Sequence, residues 1–298
     1  MNGSPQSDTF NRSCQHWSED GRAGMEAFYR LASLDYQLLA EELDWIKVFQ
    51  ELGRQFGAEI GLLDVACGSG QFPAALLKYG GLETCQHLAV NYSLLDPSEF
   101  SIRTARQRLV APFVPSEDHH CTIQDFKPTA DRYEAVWATH ALYCVPKCEL
   151  ELAVDQMLAA LDTAGLGFIA HASQQSHYVQ FHDHYLQSLQ SDEAAPFSTG
   201  EQLIEVLQTK VDPTALRYWP IDYEGTLDLE DRNTAERYLQ RCLFDDTLSL
   251  DEMLADQRMG DHLRNCIDNS SGMWRFHQRT WLIFFGEWAK SIGDYRRR

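Results

Sequence analysis

The sequence has few basic residues, and this scarcity excludes one class of substrate. Its 298 residues contain 25 lysines and arginines against 44 aspartates and glutamates, which gives a formal net charge of −19. Contacts to nucleic-acid phosphates need a basic surface, so we expect no nucleic-acid partner. The negative charge would attract a cationic small molecule, although an acidic surface that only keeps the protein in solution explains it equally well.

Long apolar runs are also missing, and so is a second close pair of cysteines. No stretch approaches the roughly 18 apolar residues of a membrane span, and residues 1–8 lack the basic and apolar segments of a signal peptide. The eight cysteines are scattered, and Cys144 and Cys148 form the one close pair. No second pair completes a zinc site. We therefore expect a cytoplasmic protein with reduced thiols, no bound metal and no membrane association. We also expect it to be a monomer or a weak homodimer.

A glycine turn follows the first apolar strand, but it lacks the third glycine of a dinucleotide site. Asp64, Gly68 and Gly70 form the pattern D-x-x-x-G-x-G between a strand and a helix start. The glycines permit a tight turn close to a ligand, and the helix directs free N–H groups toward the same place. Ala74 stands near the third position of G-x-G-x-x-G, which disfavours an NAD-dependent reductase. An ordinary strand–turn–helix is the alternative.

Strand and helix patterns alternate after residue 56. Candidate strands cover residues 60–66, 87–95, 121–124, 133–139, 165–171, 215–223 and 279–286, and candidate helices cover 71–79, 98–109, 148–162, 176–190 and 199–208. The alternation predicts an α/β fold with a doubly wound, mostly parallel sheet, whose ligand lies at the carboxyl ends of the strands. We divide the chain into an N-terminal lid with helices (1–56), an α/β core (57–223), a helical insert (224–273) and the last strand with the tail (274–298).

The glycine turn resembles the loop on which class I methyltransferases, a Rossmann-like family, hold S-adenosylmethionine (SAM). The resemblance implies SAM as the cofactor, held at the ends of the first four strands. The matching residues here are Asp64, Ala66, Cys67, Gly68, Gly70, Asp96, Ser98, Asp125, Phe126 and Thr139. Asn91 replaces Asp96 if the second strand ends earlier. The simpler alternative is that Asp96 and Ser98 only cap the next helix.

Residues 95–98, 140–145 and 276–283 resemble segments of the histamine N-methyltransferase family, and so does the order of elements. The resemblance implies methyl transfer to the nitrogen of a small basic amine, either histamine-like or from specialised metabolism. It gives three catalytic candidates, His140, Asp35 and Gln278, with Glu26 as the second choice for the acid. These residues stand where that family has glutamine, glutamate and asparagine. Its substrate-lining positions, with a lid residue added, correspond to Trp17, Tyr143, Tyr178, His182 and Phe244.

His140 suits the role of proton acceptor in methyl transfer to an amine. An amine attacks only when it is unprotonated, and His140, with an ordinary pKa of about 6.5, could accept its proton. The alternative is a buried histidine bonded to backbone. A second group, which comprises His171, His177, His182 and His184 with Asp183, suggests a metal site at first. His182 and His184 point to opposite sides of a helix, so they cannot share an ion there, and we interpret the group as a solvated helix face.

Two other functions remain open from the sequence. A SAM-dependent O-methyltransferase of a small carboxylate or phenol would keep the cofactor site, and Arg275 and Arg279 could supply a basic pocket for a carboxylate. A binding subunit without activity is disfavoured, because a fold kept for its shape alone need not retain Gly68, Gly70 and Asp96.

Overall fold

The computed structural model describes residues 8–16, 22–57, 59–85, 88–129, 132–189 and 195–297. Its N-terminal elements are α1 (Asp8–His16), α2 (Arg22–Glu42), α3 (Trp45–Phe56), β1 (Glu59–Val65), α4 (Gln71–Lys78), β2 (Ala89–Leu95), α5 (Glu99–Arg108), β3 (Phe113–His119) and β4 (Tyr133–Thr139). The chain continues with α6 (Leu150–Ala160), β5 (Leu161–Ala172), α7 (His177–Leu189), α8 (Gly200–Lys210), β6 (Leu216–Asp228), α9 (Arg232–Leu243), α10 (Leu250–Ala255), α11 (Gln257–Asn265), β7 (Ile267–Asp268) and β8 (Met273–Phe285). Within the described residues, no helix has the length and apolar character to cross a bilayer.

The strands form one sheet in the order β3-β2-β1-β4-β5-β8-β6, with β7 paired to β8. The pairs from β3 to β5 are parallel, and β8 is antiparallel to both β5 and β6. This confirms the predicted doubly wound, mostly parallel sheet. The strand order reverses between β1 and β4, so the carboxyl ends of these two strands border the crevice where such sheets bind ligands.

Apolar side chains pack helices onto both faces of the sheet, as a mostly parallel sheet requires. Alternate residues of one strand point to opposite faces, so Trp137 joins the cluster under α3, α4 and α5, whereas Val136 joins the one under α6 and α8. Trp45 and Phe72 meet Trp137 edge-on, with ring centroids 6.3 and 5.1 Å away.

The third strand was predicted wrongly. We expected it at residues 121–124, but β3 spans Phe113–His119 and residues 121–126 form turns after it. β3 is an edge strand with exposed residues along most of its length, including Glu117 and Asp118. An edge strand of this kind carries charges and a proline, here Pro115, instead of an apolar run. β3 therefore lacks the apolar pattern from which the other strands were predicted.

Two long strands carry the insert over the crevice. β6 pairs with β8 along its whole length, whereas β5 pairs only with residues 280–285 of β8. Residues 222–228 and 273–279 therefore extend as a two-stranded ribbon beyond the carboxyl end of β5. Helices α7, α9, α10 and α11 pack with this ribbon around their own apolar cluster. The ribbon thereby brings residues of β6 and β8 to the ligand side of the sheet.

The histidines of β5 and α7 do not form the solvated face that we predicted. His171, His177 and His182 are buried. The His177 ring packs against Tyr238 and His262 of the insert, whereas the His171 ring stacks on Tyr143. The predicted orientations are confirmed. The His182 ring stacks on Phe197, whereas the His184 ring lies 5.2 Å from that of His262 on α11.

Candidate cofactor and acceptor site

The turn after β1 uses left-handed backbone at Ala66, Gly68 and Gly70, with φ of 50°, 52° and 70°. A Cβ added at Gly68 would meet no atom within 4 Å, and Gly68 lines a large cavity. A Cβ at Gly70 would lie 3.1 Å from the Cα of Ala105, so this glycine lets α5 pack closely against the turn. Gly68 thus leaves backbone open to the cavity, and Gly70 serves helix packing.

Asp96 follows β2, and its buried carboxylate orders this turn. One oxygen accepts the N–H of Gly68 at 3.0 Å and the other accepts the N–H of Ser98 at 2.8 Å. Burial raises the pKa of Asp96 to about 6, although both hydrogen bonds act in the opposite direction. Ser98 caps α5 by accepting the N–H of Ser101. Each oxygen of Asp96 keeps a second acceptor position, which suits a ligand with two neighbouring hydroxyl groups.

Two tyrosines tie neighbouring elements to the turn. The hydroxyl of Tyr92 donates to Asp64 at 2.7 Å, and burial raises the pKa of Asp64 to about 7. The hydroxyl of Ser69 donates to the hydroxyl of Tyr29 at 3.0 Å, so α2 lies over the turn. The cavity here is lined by Asp64, Ala66, Cys67, Gly68, Asp96, Ser98 and Thr139, which are seven of the ten residues predicted to hold the cofactor.

The other three predicted cofactor residues do not line the cavity. Gly70 serves packing, Asp125 is exposed and accepts the hydroxyl of Thr122 at 2.9 Å, and Phe126 packs on His119. The preceding residues, 123–124, line the cavity instead. The difference arises because β3 ends before this segment, so residues 121–126 curve past the cavity as turns.

His140 marks the opposite end of the cavity. It follows β4 with a φ of 52°, and its N–H donates to the carbonyl of Ala170 at 2.8 Å. Its Nδ1 is 2.7 Å from the hydroxyl of Tyr143, and its Nε2 is 3.9 Å from Oδ2 of Asp35 on α2. His140 Nε2 and Asp35 Oδ1 are buried without a hydrogen-bond partner. The structure thus brings two of the three predicted catalytic residues together, with unused hydrogen-bonding capacity.

Burial favours the neutral forms of both groups. It lowers the pKa of His140 to about 3 and raises the pKa of Asp35 well above its ordinary value. The N–H of Ala172 donates to the Tyr143 hydroxyl at 3.3 Å, which leaves the hydroxyl proton of Tyr143 for Nδ1 of His140. In the tautomer whose Nδ1 accepts the Tyr143 proton, the imidazole carries its own proton on Nε2, facing Asp35.

Aromatic rings form most of the wall around this pair. Tyr36 meets His140 edge-on at 5.6 Å, and Tyr143 meets Tyr178 edge-on at 5.0 Å. Gln278 on β8 donates to the hydroxyl of Tyr238 on α9 at 3.2 Å. The aromatic lining residues are Phe10, Phe28, Tyr29, Phe72, Tyr36, Tyr143, Tyr178, Tyr223, Tyr238 and Phe244. The result is an apolar chamber with a few polar groups directed into it, as small-molecule sites usually are.

Some residues of this wall were predicted from the sequence. Tyr143, Tyr178, Phe244 and Gln278 line the cavity as predicted. His182 does not, because its ring stacks 3.7 Å from that of Phe197 behind the wall. Trp17 and the side chain of Glu26 lie outside the described residues.

Several lining residues were missed. Phe28 and Ala32 line the cavity from the same face of α2 as the predicted Asp35. That spacing was the available signal for Phe28. No local signal marked Tyr238, which comes from the insert.

Residues 62–165 match the family profile described as a methyltransferase domain. This segment, about a third of the chain, is therefore similar to a methyltransferase domain. Its cofactor is therefore SAM, and the residues at the turn fit it. The open backbone at Gly68 leaves room beside the turn, and the spare acceptor positions of Asp96 suit the ribose hydroxyls of SAM.

Solved structures share the fold of this chain at low sequence identity. A proposed methyltransferase from Bacillus halodurans C-125 is 12% identical, with 81% of this chain and 99% of that chain covered and a TM-score of 0.51. Magnesium protoporphyrin IX methyltransferase from Synechocystis PCC 6803, solved with S-adenosylhomocysteine, is 10% identical, with 94% and 100% covered and a TM-score of 0.51. No curated protein matches in sequence. These likenesses show the class I methyltransferase fold.

Proposed function

We propose that this methyltransferase transfers the methyl group of SAM to the nitrogen of a small basic amine. The observation that carries the proposal is the pair Asp35 and His140, which leaves two buried polar atoms without partners in the aromatic chamber. Each unpaired buried polar atom costs about 1–3 kcal/mol, so a ligand that pairs with them gains affinity. The resemblance of segments around His140 to the histamine N-methyltransferase family and the net charge of −19 also support an amine.

The amine binds as an ammonium ion beside Asp35. A positive charge next to a buried carboxyl lowers its pKa and opposes the effect of burial, so Asp35 ionises when the cation enters. The rings of Tyr36 and Tyr143 line the same chamber, and a cation over an aromatic face gains about 0.5–2 kcal/mol. Gln278, fixed by its hydrogen bond to Tyr238, orients the acceptor.

The ammonium must lose a proton before its nitrogen can act as a nucleophile. In the proposed step an N–H bond of the ammonium breaks and an O–H bond forms on Asp35, so a neutral amine faces a neutral carboxyl. A buried chamber favours this transfer because it removes two charges. His140, held by Tyr143, donates from Nε2 and keeps the carboxyl in position.

When bound, SAM supplies the methyl group as an electrophile on its sulfonium. The chain contributes proximity and orientation: the turn at Gly68 and Asp96 is at one end of the cavity, and Asp35 with His140 is at the other. Aromatic side chains around the pair exclude water from the nitrogen. The proton that Asp35 takes from the ammonium restores its neutral form, so the one proton that the reaction releases is the one that Asp35 loses to solvent when the cation enters.

A panel of small amines with SAM, analysed by mass spectrometry, tests this proposal. We expect a product with the new methyl group on nitrogen, and we expect Asp35→Asn to lower turnover at least about 100-fold while SAM affinity stays unchanged. Glu41→Gln is the matched control, since Glu41 lies on the same helix and pairs with Gln37 outside the cavity. A methyl group on oxygen or carbon would contradict the proposal.

A phenol is the second candidate acceptor, because an ionised Asp35 could equally accept a phenolic proton. A carboxylate acceptor is disfavoured. None of the described residues that line the cavity is a lysine or an arginine. Arg275 instead pairs with Glu224, and Arg279 pairs with Asp222, away from the cavity. The basic pocket that these two arginines could have supplied is not formed, because both are partly exposed and paired with carboxylates.

A further inference from the structure

Helices α7 and α11 bring three metal-ligating side chains together away from the SAM site. His177 comes from α7, His262 from α11, and Cys266 directly follows α11. Nδ1 of His177 lies 2.9 Å from Nε2 of His262 and 3.7 Å from Sγ of Cys266, and all three ligating atoms lie within 4.8 Å of one another. None of the three lines the cofactor cavity.

The local geometry suits a small tetrahedral ion. His262 and Cys266 are four residues apart, so they lie on one face of the helical turn toward α7. Zinc bonds of about 2.0–2.1 Å to nitrogen and 2.3 Å to sulfur place tetrahedral ligand atoms about 3.3–3.6 Å apart. The distance between Cys266 and His177 is close to this value. The two histidine nitrogens need to separate by only about half an ångström.

The protonation states also suit an ion. Burial lowers the pKa of His177 well below its ordinary value and that of His262 to about 4, so both imidazoles are neutral near pH 7. One of the two facing nitrogens donates their hydrogen bond, and that imidazole changes tautomer to bind the ion. Burial raises the pKa of the Cys266 thiol to about 12. Metal binding therefore breaks the S–H bond of Cys266, forms a sulfur–metal bond and releases one proton to solvent.

We propose that His177, His262 and Cys266 bind a Zn²⁺ ion, with the fourth position open to a water molecule. Two imidazoles and a thiolate are a ligand set that zinc accepts. His262 is only half-buried, which provides an entry path from solvent. From the sequence we expected a protein without metal. The proposed site was not visible there, because its ligands are separated by 85 and 89 positions.

The ion would fasten the insert to the wall of the acceptor chamber. The His177 ring lies 4.5 Å from that of Phe276 on β8 and 6.1 Å from that of Tyr238, which lines the chamber. A bond from His177 to α11 therefore stiffens the wall from behind. The site lies outside the cavity and takes no part in the chemistry proposed above.

Zinc content tests the proposal on the full chain. After incubation with zinc chloride and removal of free metal, we expect about one zinc per wild-type chain by plasma mass spectrometry. We expect a melting temperature about 5–10 °C higher at free zinc about 100 times Kd. Cys266→Ser and His262→Gln should each lose the metal and the shift. Cys85→Ser, at another buried cysteine, and His277→Gln, at an exposed histidine, are the matched controls and should retain both.

Cobalt gives a second measurement that needs no variant. Co²⁺ added to the wild-type chain should produce a thiolate-to-cobalt charge-transfer absorption in the near ultraviolet, and zinc should displace it. A wild-type chain that retains no zinc would overturn the proposal, and so would zinc retained by both ligand variants. A cobalt complex without thiolate absorption would remove Cys266 from the site.

Discussion

At the cofactor end of the cavity, each oxygen of Asp96 accepts a backbone N–H, whereas at the acceptor end Asp35 and His140 face each other across 3.9 Å without a hydrogen bond. Both carboxyl groups are buried, and burial raises the pKa of both. For Asp96, two hydrogen bonds limit that rise to about 6. For Asp35, burial acts without any opposing contact.

The difference indicates how the two ends achieve their specificity. The cofactor end is a short turn in which two backbone N–H groups already hold the carboxylate of Asp96. The acceptor end is assembled from α2, β4, β8 and α9, and two polar atoms of its Asp35–His140 pair have no partner among the described residues. Unpaired groups of this kind lower the stability of the free protein by about 1–3 kcal/mol each, which is the usual cost of a functional site.

The largest effect should come from Gly68→Val. Valine is disfavoured at a φ of 52°, by about 1–2 kcal/mol or more, and its side chain would enter the space that SAM occupies. We expect the affinity for SAM, measured by calorimetry, to fall at least about 100-fold.

Gly272→Val is the matched control for this substitution. Gly272 has a φ of 69° and the same open surroundings, but it lies on the turn before β8, away from the cavity. It should lose similar stability and keep its affinity for SAM. Equal losses of SAM affinity in both variants would place the cofactor elsewhere.

A crossed pair of substitutions should separate the two ends next. In Asp96→Asn, an amide NH₂ replaces one of the two carboxylate oxygens, and one backbone N–H loses its acceptor. We therefore expect the affinity for SAM to fall about tenfold, with little effect on the affinity for the methyl acceptor. His140→Ala should lower turnover about 100-fold and leave SAM affinity nearly unchanged. Calorimetry with SAM and steady-state rates with the amine distinguish them. If His140→Ala turns over at the wild-type rate, the imidazole has no part in the reaction.

These two ends were not equally predictable from the sequence. The cofactor turn is local, since Asp64, Gly68 and Gly70 lie within one strand–turn–helix and the backbone requirement of glycine is visible in the letters. The alternation of elements likewise gave the sheet. The third strand was misplaced because an edge strand carries little apolar pattern.

The acceptor end depends on contacts between distant segments. Asp35 and His140 were named by resemblance, but Tyr36 and Tyr238 were not, because only the packing of α2 and the insert brings them to the chamber. The same packing buries His177 beside His262, which no spacing within α7 could reveal. Local chemistry was therefore predictable, and partners that meet through the insert were not.

The pH dependence of kcat/KM should sharpen the comparison further. In the free enzyme the pKa of Asp35 is raised, so the carboxyl is protonated at pH values where an ordinary aspartate is ionised. An ammonium substrate needs the ionised form, so kcat/KM should rise about tenfold per pH unit until Asp35 has titrated. In Asp35→Asn the remaining activity should rise only through the pKa of the amine. Identical profiles in both proteins would show that another group controls the proton.

The smallest expected effect is on stability, and it has the opposite sign at the two ends. A carboxyl whose pKa is raised by folding contributes stability below its unfolded pKa, and this contribution is lost as the pH rises through the folded value. At neutral pH Asp35 therefore destabilises the free protein, and Asp35→Asn should raise the melting temperature by about 2–4 °C, with the gain shrinking toward pH 4. Asp96→Asn should lower it instead, because it breaks a hydrogen bond to the turn. Thermal melts of both variants without ligand, from pH 4 to 8, measure the contrast. A loss of stability in Asp35→Asn at neutral pH would mean that Asp35 is satisfied in the free protein, and the case for a cation beside it would fail.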